Sequence, residues 1–274
     1  MTEKAVVLAR GLGRRMQQAR DDVALDSEQA KLAERGHKAL MLLGSRPFLD
    51  YVVDSLMRAG LRRICLVIAP DADAMRERAR RVQVAAGVEV HCAVQQEPLG
   101  TADAVLAAED FVGGDAFVLA NGDDLYPDQA LAALAARDDG DCWVAAFSRD
   151  DLVRRGNIAT ERIRDFAVIT ASEGGELLGI VEKPADPDRY MRDGRLWVNM
   201  NLYRFTPGIF ESCRRIRPNP ERGELELTAA VEDMLEREPA GFRVMFCQGG
   251  VLDLTTRADV LVVEKALGVR RLCF

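Results

Sequence analysis

Acidic and basic side chains stand where this chain changes direction. Phe117-Val118-Leu119-Ala120 is an apolar run of strand length that ends in Asn121-Gly122-Asp123-Asp124. A second apolar run, Val251-Leu252, ends in Asp253. A carboxylate delivered at the end of a strand suits a hard cation such as Mg²⁺, which binds one or two protein carboxylates and leaves room for phosphate oxygens. The same placement suits a helix N-cap or a turn. Adjacent strand residues face opposite ways, so Asp123, not Asp124, is the expected ligand, together with Asp253. The opening segment Val6-Val7-Leu8-Ala9-Arg10-Gly11-Leu12-Gly13-Arg14-Arg15-Met16 runs a strand into a glycine-containing, arginine-rich loop. Glycine lets amides approach an anion, and Arg14 and Arg15 can add charge-assisted hydrogen bonds to phosphate. The loop lacks the Gly-Lys-Ser/Thr of a P-loop, and Met16 replaces the last glycine of the dinucleotide fingerprint. On these residues alone, a tight turn carrying solvated arginines serves equally well.

The elements that must position these groups follow from periodicity. Lys4–Ala9, Arg63–Ala69, Val88–Val94, Ala116–Asn121 and Cys142–Phe147 read as strands. Amphipathic stretches Pro47–Ala59, Asp71–Val84, Ala102–Glu109 and Asp128–Ala136 lie between them and read as helices. Such alternation predicts an α/β fold with a mainly parallel sheet and helices on both faces, and ligands outside the carboxyl ends of the strands. After Asp165 the pattern changes to a hairpin, Phe166–Ala171 and Leu177–Glu182, around Gly174-Gly175. An extended Leu196–Phe205 follows, then helices at Pro207–Ile216 and Leu227–Arg237. Strands at Phe242–Cys247 and Val251–Leu254 and a helix at Arg257–Leu267 close the chain. With no repeat or linker, one domain over 1–274 is expected, in two parts of about 1–150 and about 151–274.

Composition narrows the function. The 274 residues carry a net charge of −7 and are 48% hydrophobic, as in an ordinary globule. Acidity disfavours nucleic acid as a partner. No run nears the ~20 apolar residues that span a bilayer, so no membrane role is expected. Six cysteines without a Cys-x-x-Cys pair read as small buried hydrophobes in a reducing cytoplasm. Two histidines, His37 and His91, supply little for a zinc site.

Taken in order, several segments resemble those of the sugar-1-phosphate nucleotidylyltransferases, the NDP-sugar pyrophosphorylases. The Leu8–Met16 loop resembles their Leu-Ala-Gly-Gly-x-Gly-Thr-Arg-Leu signature. Lys38-Ala39-Leu40 with Arg46-Pro47-Phe48-Leu49 resembles the lysine segment. Gln95-Gln96-Glu97-Pro98-Leu99-Gly100-Thr101 resembles the nucleobase loop, and Asn121-Gly122-Asp123 the Gly-Asp turn. Ile180-Val181-Glu182-Lys183-Pro184 is similar to the sugar-phosphate segment. Asn199-Met200-Asn201-Leu202-Tyr203 and Val251-Leu252-Asp253 resemble two further elements. The resemblance covers nearly the whole chain and implies a Rossmann-like fold.

It also implies roles, with the nucleotide bound by the part over about 1–150 and the acceptor by that over about 151–274. Arg15, Lys38 and Asp123 would be catalytic, with Asp123 and Asp253 holding Mg²⁺. Ala9, Gly11, Gly13, Arg14, Gln95, Pro98, Gly100 and Thr101 would bind the nucleoside triphosphate, Gln95 reading the base. Glu182, Lys183 and Asn199 would bind a sugar 1-phosphate or a sugar-like polyol phosphate. Departures are visible: Arg10 replaces a glycine, Arg14 a threonine, Asn201 a glycine and Val251 a tryptophan. The stretch from Arg15 to Lys38 is longer than usual, with Leu25, Gln29, Leu32 and Ala33 at helical spacing. A cytidylyltransferase for a phosphorylated alcohol such as choline, and a silent nucleotide-binding regulator, stay open as alternatives. So does self-association.

Overall fold

The structure is a computed structural model that describes residues 2–18, 23–238, 241–268 and 270–274. Part of the stretch between Arg15 and Lys38 therefore lies outside the described residues. Four apolar runs form parallel strands, β1 (Lys4–Leu8), β2 (Arg63–Ile68), β3 (Glu89–Val94) and β4 (Phe117–Asn121), in the order β4-β1-β2-β3. In β1, Ala5 and Val7 enter one hydrophobic core and Val6 the other. Successive strand side chains alternate in direction, so a strand buried on both faces reads as an unbroken apolar run. Helices Phe48–Arg58, Asp128–Ala135 and Arg257–Leu267 pack into the first core, and Thr101–Leu106, Gly208–Arg215 and Leu227–Arg237 into the second.

The later strands are β5 (Asp124–Leu125), β6 (Cys142–Ser148), β7 (Ala167–Ala171), β8 (Leu177–Val181), β9 (Trp197–Phe205), β10 (Phe242–Cys247) and β11 (Leu252–Asp253). Strand β9 joins the two parts of the chain. Its end, Tyr203–Phe205, runs antiparallel to β4, and Val198–Asn199 pairs with β7. Strand β6 lies along its other side and carries β10 in parallel. The result among the described residues is one nine-stranded mixed sheet, parallel in the first part and antiparallel where β9 enters. A separate two-stranded ribbon pairs β5 with β11, placing Asp124 directly opposite Asp253.

Element ends moved only slightly from the sequence expectation, with two exceptions. The helix expected over Ala102–Glu109 is two pieces, Thr101–Leu106 and Glu109–Val112, and the break lets Val112 reach the second core. Pairing of β9 breaks around Met200–Asn201, where Asn201 has φ +54°. Asparagine tolerates that left-handed conformation better than other side chains, which accounts for it standing in place of a glycine. Four cysteines are buried, Cys92 is half-buried and Cys273 is exposed, and all six are free. Burial pushes the Cys65 thiol up to about 12, as for an inert core residue. No helix among the described residues is long and apolar enough to cross a membrane.

Candidate active site

Three cavities open beside Asp123 at the carboxyl ends of β1 and β4. The first, about 360 Å³, lies between the Arg10–Arg14 loop and Gln95, Pro98, Gly100 and Thr101. The second, about 330 Å³, is walled by Glu182, Lys183, Asn199, Asp124 and Asp253. These two share Thr101, Asn121, Asp123, Asn201 and Glu224 as a common wall. The third, also about 330 Å³, was not foreseen. It lies between Ala9–Gly11, Arg35–Leu40 and Ala69–Met75, so the long stretch before Lys38 builds one of its sides.

Loop conformation is set by backbone contact. Gly13 has φ +61°, and a Cβ there would lie 2.4 Å from the Gly36 carbonyl oxygen. The segment after helix Ser27–Glu34 thus packs its backbone on the arginine loop, which only two glycines permit. That helix starts with a capping box between Asp26 and Gln29, and the Gln29 side chain also donates to the Leu42 carbonyl. Gly11 faces open space. Gly100 has φ +120°, and its missing side chain makes room for Leu225, whose amide donates to the Leu99 carbonyl and whose carbonyl accepts from Ala102. The Thr101 hydroxyl accepts from the Leu227 amide at 2.9 Å.

Three of the expected phosphate-binding cations, Lys38, Arg15 and Lys183, have carboxylate partners. Lys38 Nζ lies 2.7 Å from Asp123 Oδ2. Burial alone would lower the lysine, but Asp123 beside it, with Asp253 and Asp124 near, holds its pKa above the ordinary value. Arg15 is half exposed and lies 3.4 Å from Asp165, and Lys183 lies 3.4 Å from Glu182. Lys183 has φ +42°, a strained conformation for a residue before proline.

The aspartates depart from the expectation. Gly122 and Asp123 form a turn between β4 and β5, so strand alternation does not carry across them. Asp124 therefore lines the same cavity as Asp123, where strand alternation led us to expect the two to face opposite ways. Asp124 and Asp253 are only 3% and 5% exposed. Burial, together with Asp253 and Asp123, pushes the Asp124 carboxyl well above the usual range. Burial also raises Asp253, opposed by Arg162, whose Nη2 donates to Oδ1 at 2.8 Å. Asn157 brackets the Asp253 backbone, donating to its carbonyl and accepting from its amide. No three His, Cys, Asp or Glu side chains among the described residues already surround one point as a metal cage would. The carboxylates of Asp123 and Asp253 in the wall of the second cavity nonetheless suit a hard cation that takes one or two protein carboxylates and draws its remaining ligands from phosphate and water.

Three other residues are more committed than expected. The Gln95 amide nitrogen donates to the Gly100 carbonyl and to Asp103 Oδ2, so two acceptors fix its orientation and leave the amide oxygen to face a ligand. Arg10 donates to the Gln95 and Gln96 carbonyls at 2.8 and 3.2 Å and separates the first cavity from the third. Asn199 donates to Tyr203 Oη and Asn201 Oδ1 and accepts from the Asn201 amide. In this structure the side chain holds the break in β9, and the residue also lines the second cavity.

Sequence reading missed Arg222–Thr228. Glu224, Glu226 and Thr228 line the second cavity, and Arg222 lies 3.4 Å from Glu182 and 2.9 Å from Glu226. The strict alternation of Glu224, Glu226 and Thr228 with Leu225 and Leu227 was the available signal of one polar face.

Comparison with known proteins adds the family. The model of a family described as Nucleotidyl transferase matches residues 30–253. A glucose-1-phosphate thymidylyltransferase of Streptomyces antibioticus is 29% identical over 269 residues, covering 96% of this chain and 66% of its own length. The chain spans 57% to 66% of the length of the first curated relatives that it matches. A UDP-glucose pyrophosphorylase solved with UDP-glucose has a TM-score of 0.75 at 19% identity, with 99% of this chain and 100% of that one covered. The inositol-1-phosphate CTP transferase of T. maritima has a TM-score of 0.71 at 18% identity, with 99% and 98% covered. At such identities the likeness to solved structures shows the shared fold.

Proposed function

The chain belongs to the nucleotidyl transferase family, and from that premise we propose that it joins a nucleoside triphosphate to a sugar 1-phosphate or a sugar-like polyol 1-phosphate. The observation that supports this most is the common wall of the first two cavities, where Asp123 faces both. An acceptor in the cavity of Glu182 and Lys183 and a nucleotide in that of Gln95 and Gly100 would meet there. An acceptor phosphate oxygen attacks the α-phosphorus, a new P–O bond forms, and the bond to the β-phosphate bridge oxygen breaks to release pyrophosphate. No covalent enzyme intermediate is needed, so the protein acts by positioning and by neutralising charge.

The residues divide that work. Lys38 and Arg15, held by Asp123 and Asp165, exchange those partners for the triphosphate. Lys183 leaves Glu182 for the acceptor phosphate. The Gln95 amide oxygen accepts from the base, and the amides around Gly11 and Gly13 approach the phosphates. Asp123 and Asp253 would hold Mg²⁺, which when bound offsets phosphate charge. Glu182 and the Glu224–Thr228 face offer acceptors to hydroxyl groups.

The test is pyrophosphate release across five nucleoside triphosphates crossed with sugar 1-phosphates, inositol 1-phosphate and phosphocholine, with and without Mg²⁺. The first reading expects turnover with a sugar or polyol 1-phosphate that stops when the metal is removed. Turnover confined to CTP and phosphocholine supports the cytidylyltransferase reading. Nucleotide binding without turnover on any acceptor leaves the silent regulator.

A further inference from the structure

Resting on the reading of the first cavity as the nucleotide's, we propose that Arg10 is a positioning residue for base selection, holding the main chain of the loop that carries Gln95. Arg10 stands two residues beyond the end of β1, next to Ala9, whose amide donates to the Val67 carbonyl at 2.9 Å. Its side chain crosses from this rigid strand end to the loop. Nε donates to the Gln95 carbonyl at 2.8 Å and Nη2 to the Gln96 carbonyl at 3.2 Å. The two donors belong to one planar fork, which meets two neighbouring acceptors at once as a single ammonium group does not.

The loop has little else to hold its middle. Residues 95–100 form neither helix nor strand. The two ends are tied: the Gln95 amide donates to the Ile68 carbonyl at 3.0 Å, and the Leu99 carbonyl accepts from the Leu225 amide at 2.6 Å. Among the described residues, Arg10 alone donates to the carbonyls of Gln95 and Gln96. The Gln95 side chain is fixed separately, by the Gly100 carbonyl and Asp103 Oδ2. Its direction is therefore set from one side of the loop and the place of its main chain from the other. An amide oxygen discriminates between base edges only while it stays within hydrogen-bond reach of one position. Arg10 keeps it there through the main chain, from a wall that the first and third cavities share.

The experiment compares the unaltered protein with Arg10→Ala and Arg10→Lys. It measures calorimetric affinity for five nucleoside triphosphates, hydrogen–deuterium exchange over residues 95–100, and Tm. Both variants are expected to narrow the affinity ratio between the best and second-best triphosphate at least about threefold, the effect of one weakened hydrogen bond. Exchange in the loop should quicken in both, with Tm nearly unchanged, because Arg10 is half-buried and outside the two cores. Lysine keeps the charge and loses the fork, so it should not restore the ratio. Unchanged loop exchange in both variants overturns the proposal. So does an equal weakening of every triphosphate that lysine reverses, which would make Arg10 a phosphate-binding cation. Base ranking kept in both variants despite faster exchange overturns the selection role and leaves the reading of the first cavity intact. An unaltered protein that binds no triphosphate overturns that reading and the selection role together.

Discussion

At the scale of single residues, this site is a set of exchangeable charge pairs. Lys38→Met and Arg15→Ala are expected to lower kcat about 10²–10³-fold each, the usual cost of removing one donor to developing charge. Arg15 is half exposed and its ion pair is a surface one, so Arg15→Ala should leave Tm nearly unchanged. Steady-state rates at saturating substrates, with melting curves beside them, check both; an unchanged kcat removes that residue from the mechanism. Gln95→Ala should flatten preference among triphosphates by about 1–3 kcal/mol, the value of one buried hydrogen bond. Calorimetric affinities for each base decide it, and an unaltered ranking would shift base reading to Arg10. The raised carboxyl of Asp124 carries a pH signature. Its folded form keeps a proton that the unfolded chain has released, so stability falls as pH rises from the ordinary carboxylate range towards the raised value. Asp124→Asn removes that loss. In metal-free buffer its Tm should exceed the wild type's by a few degrees at pH 8, and the gain should vanish near pH 4. A gain equal at both values would mean that the carboxyl is not shifted upward.

At the scale of elements, two backbone crossings hold together the loops that line the first cavity. Gly13 meets Gly36, and Gly100 meets Leu225, each so closely that a Cβ at either loop glycine would fall 2.4 Å from a carbonyl oxygen. Both loop glycines also have positive φ. Alanine at Gly13 or Gly100 must therefore displace backbone, not a flexible side-chain end, and each is expected to destabilise the chain by about 1–3 kcal/mol. The readout that separates this from a merely local effect is KM for the triphosphate. It should rise in both variants, because the loops that face the nucleotide move, and a lowered Tm with unchanged KM would confine the effect to the fold. The short helix Thr160–Asp165 ties the same loops to the acidic cluster, with Asp165 near Arg15 and Arg162 on Asp253.

At the scale of the whole molecule, β9 makes the two parts of the chain one sheet, since it pairs with β4 and β6 from the first part and with β7 from the second. Calorimetry should therefore show a single unfolding transition, and two separate transitions would mean that the parts fold independently. The sequence by itself determined the elements and their burial. Alternating and continuous apolar runs are local signals, so β1–β4, the hairpin at Gly175 and the helix Leu227–Arg237 were legible from side-chain type alone. Asp123, Lys183 and Asp253 were also legible as residues at strand ends, whereas Lys38 was expected beside them from the family resemblance alone. Only the tertiary structure decided what those residues face. The turn at Gly122-Asp123 undid strand alternation and brought Asp124 opposite Asp253, across a ribbon whose second strand lies far along the chain. Asn199 became a support for the break in β9, and Gly36 met Gly13, through contacts between segments remote in sequence. Periodicity reports the side of an element that is buried. It carries no record of the partner on that side, and charge pairing and close backbone approach depend on the partner.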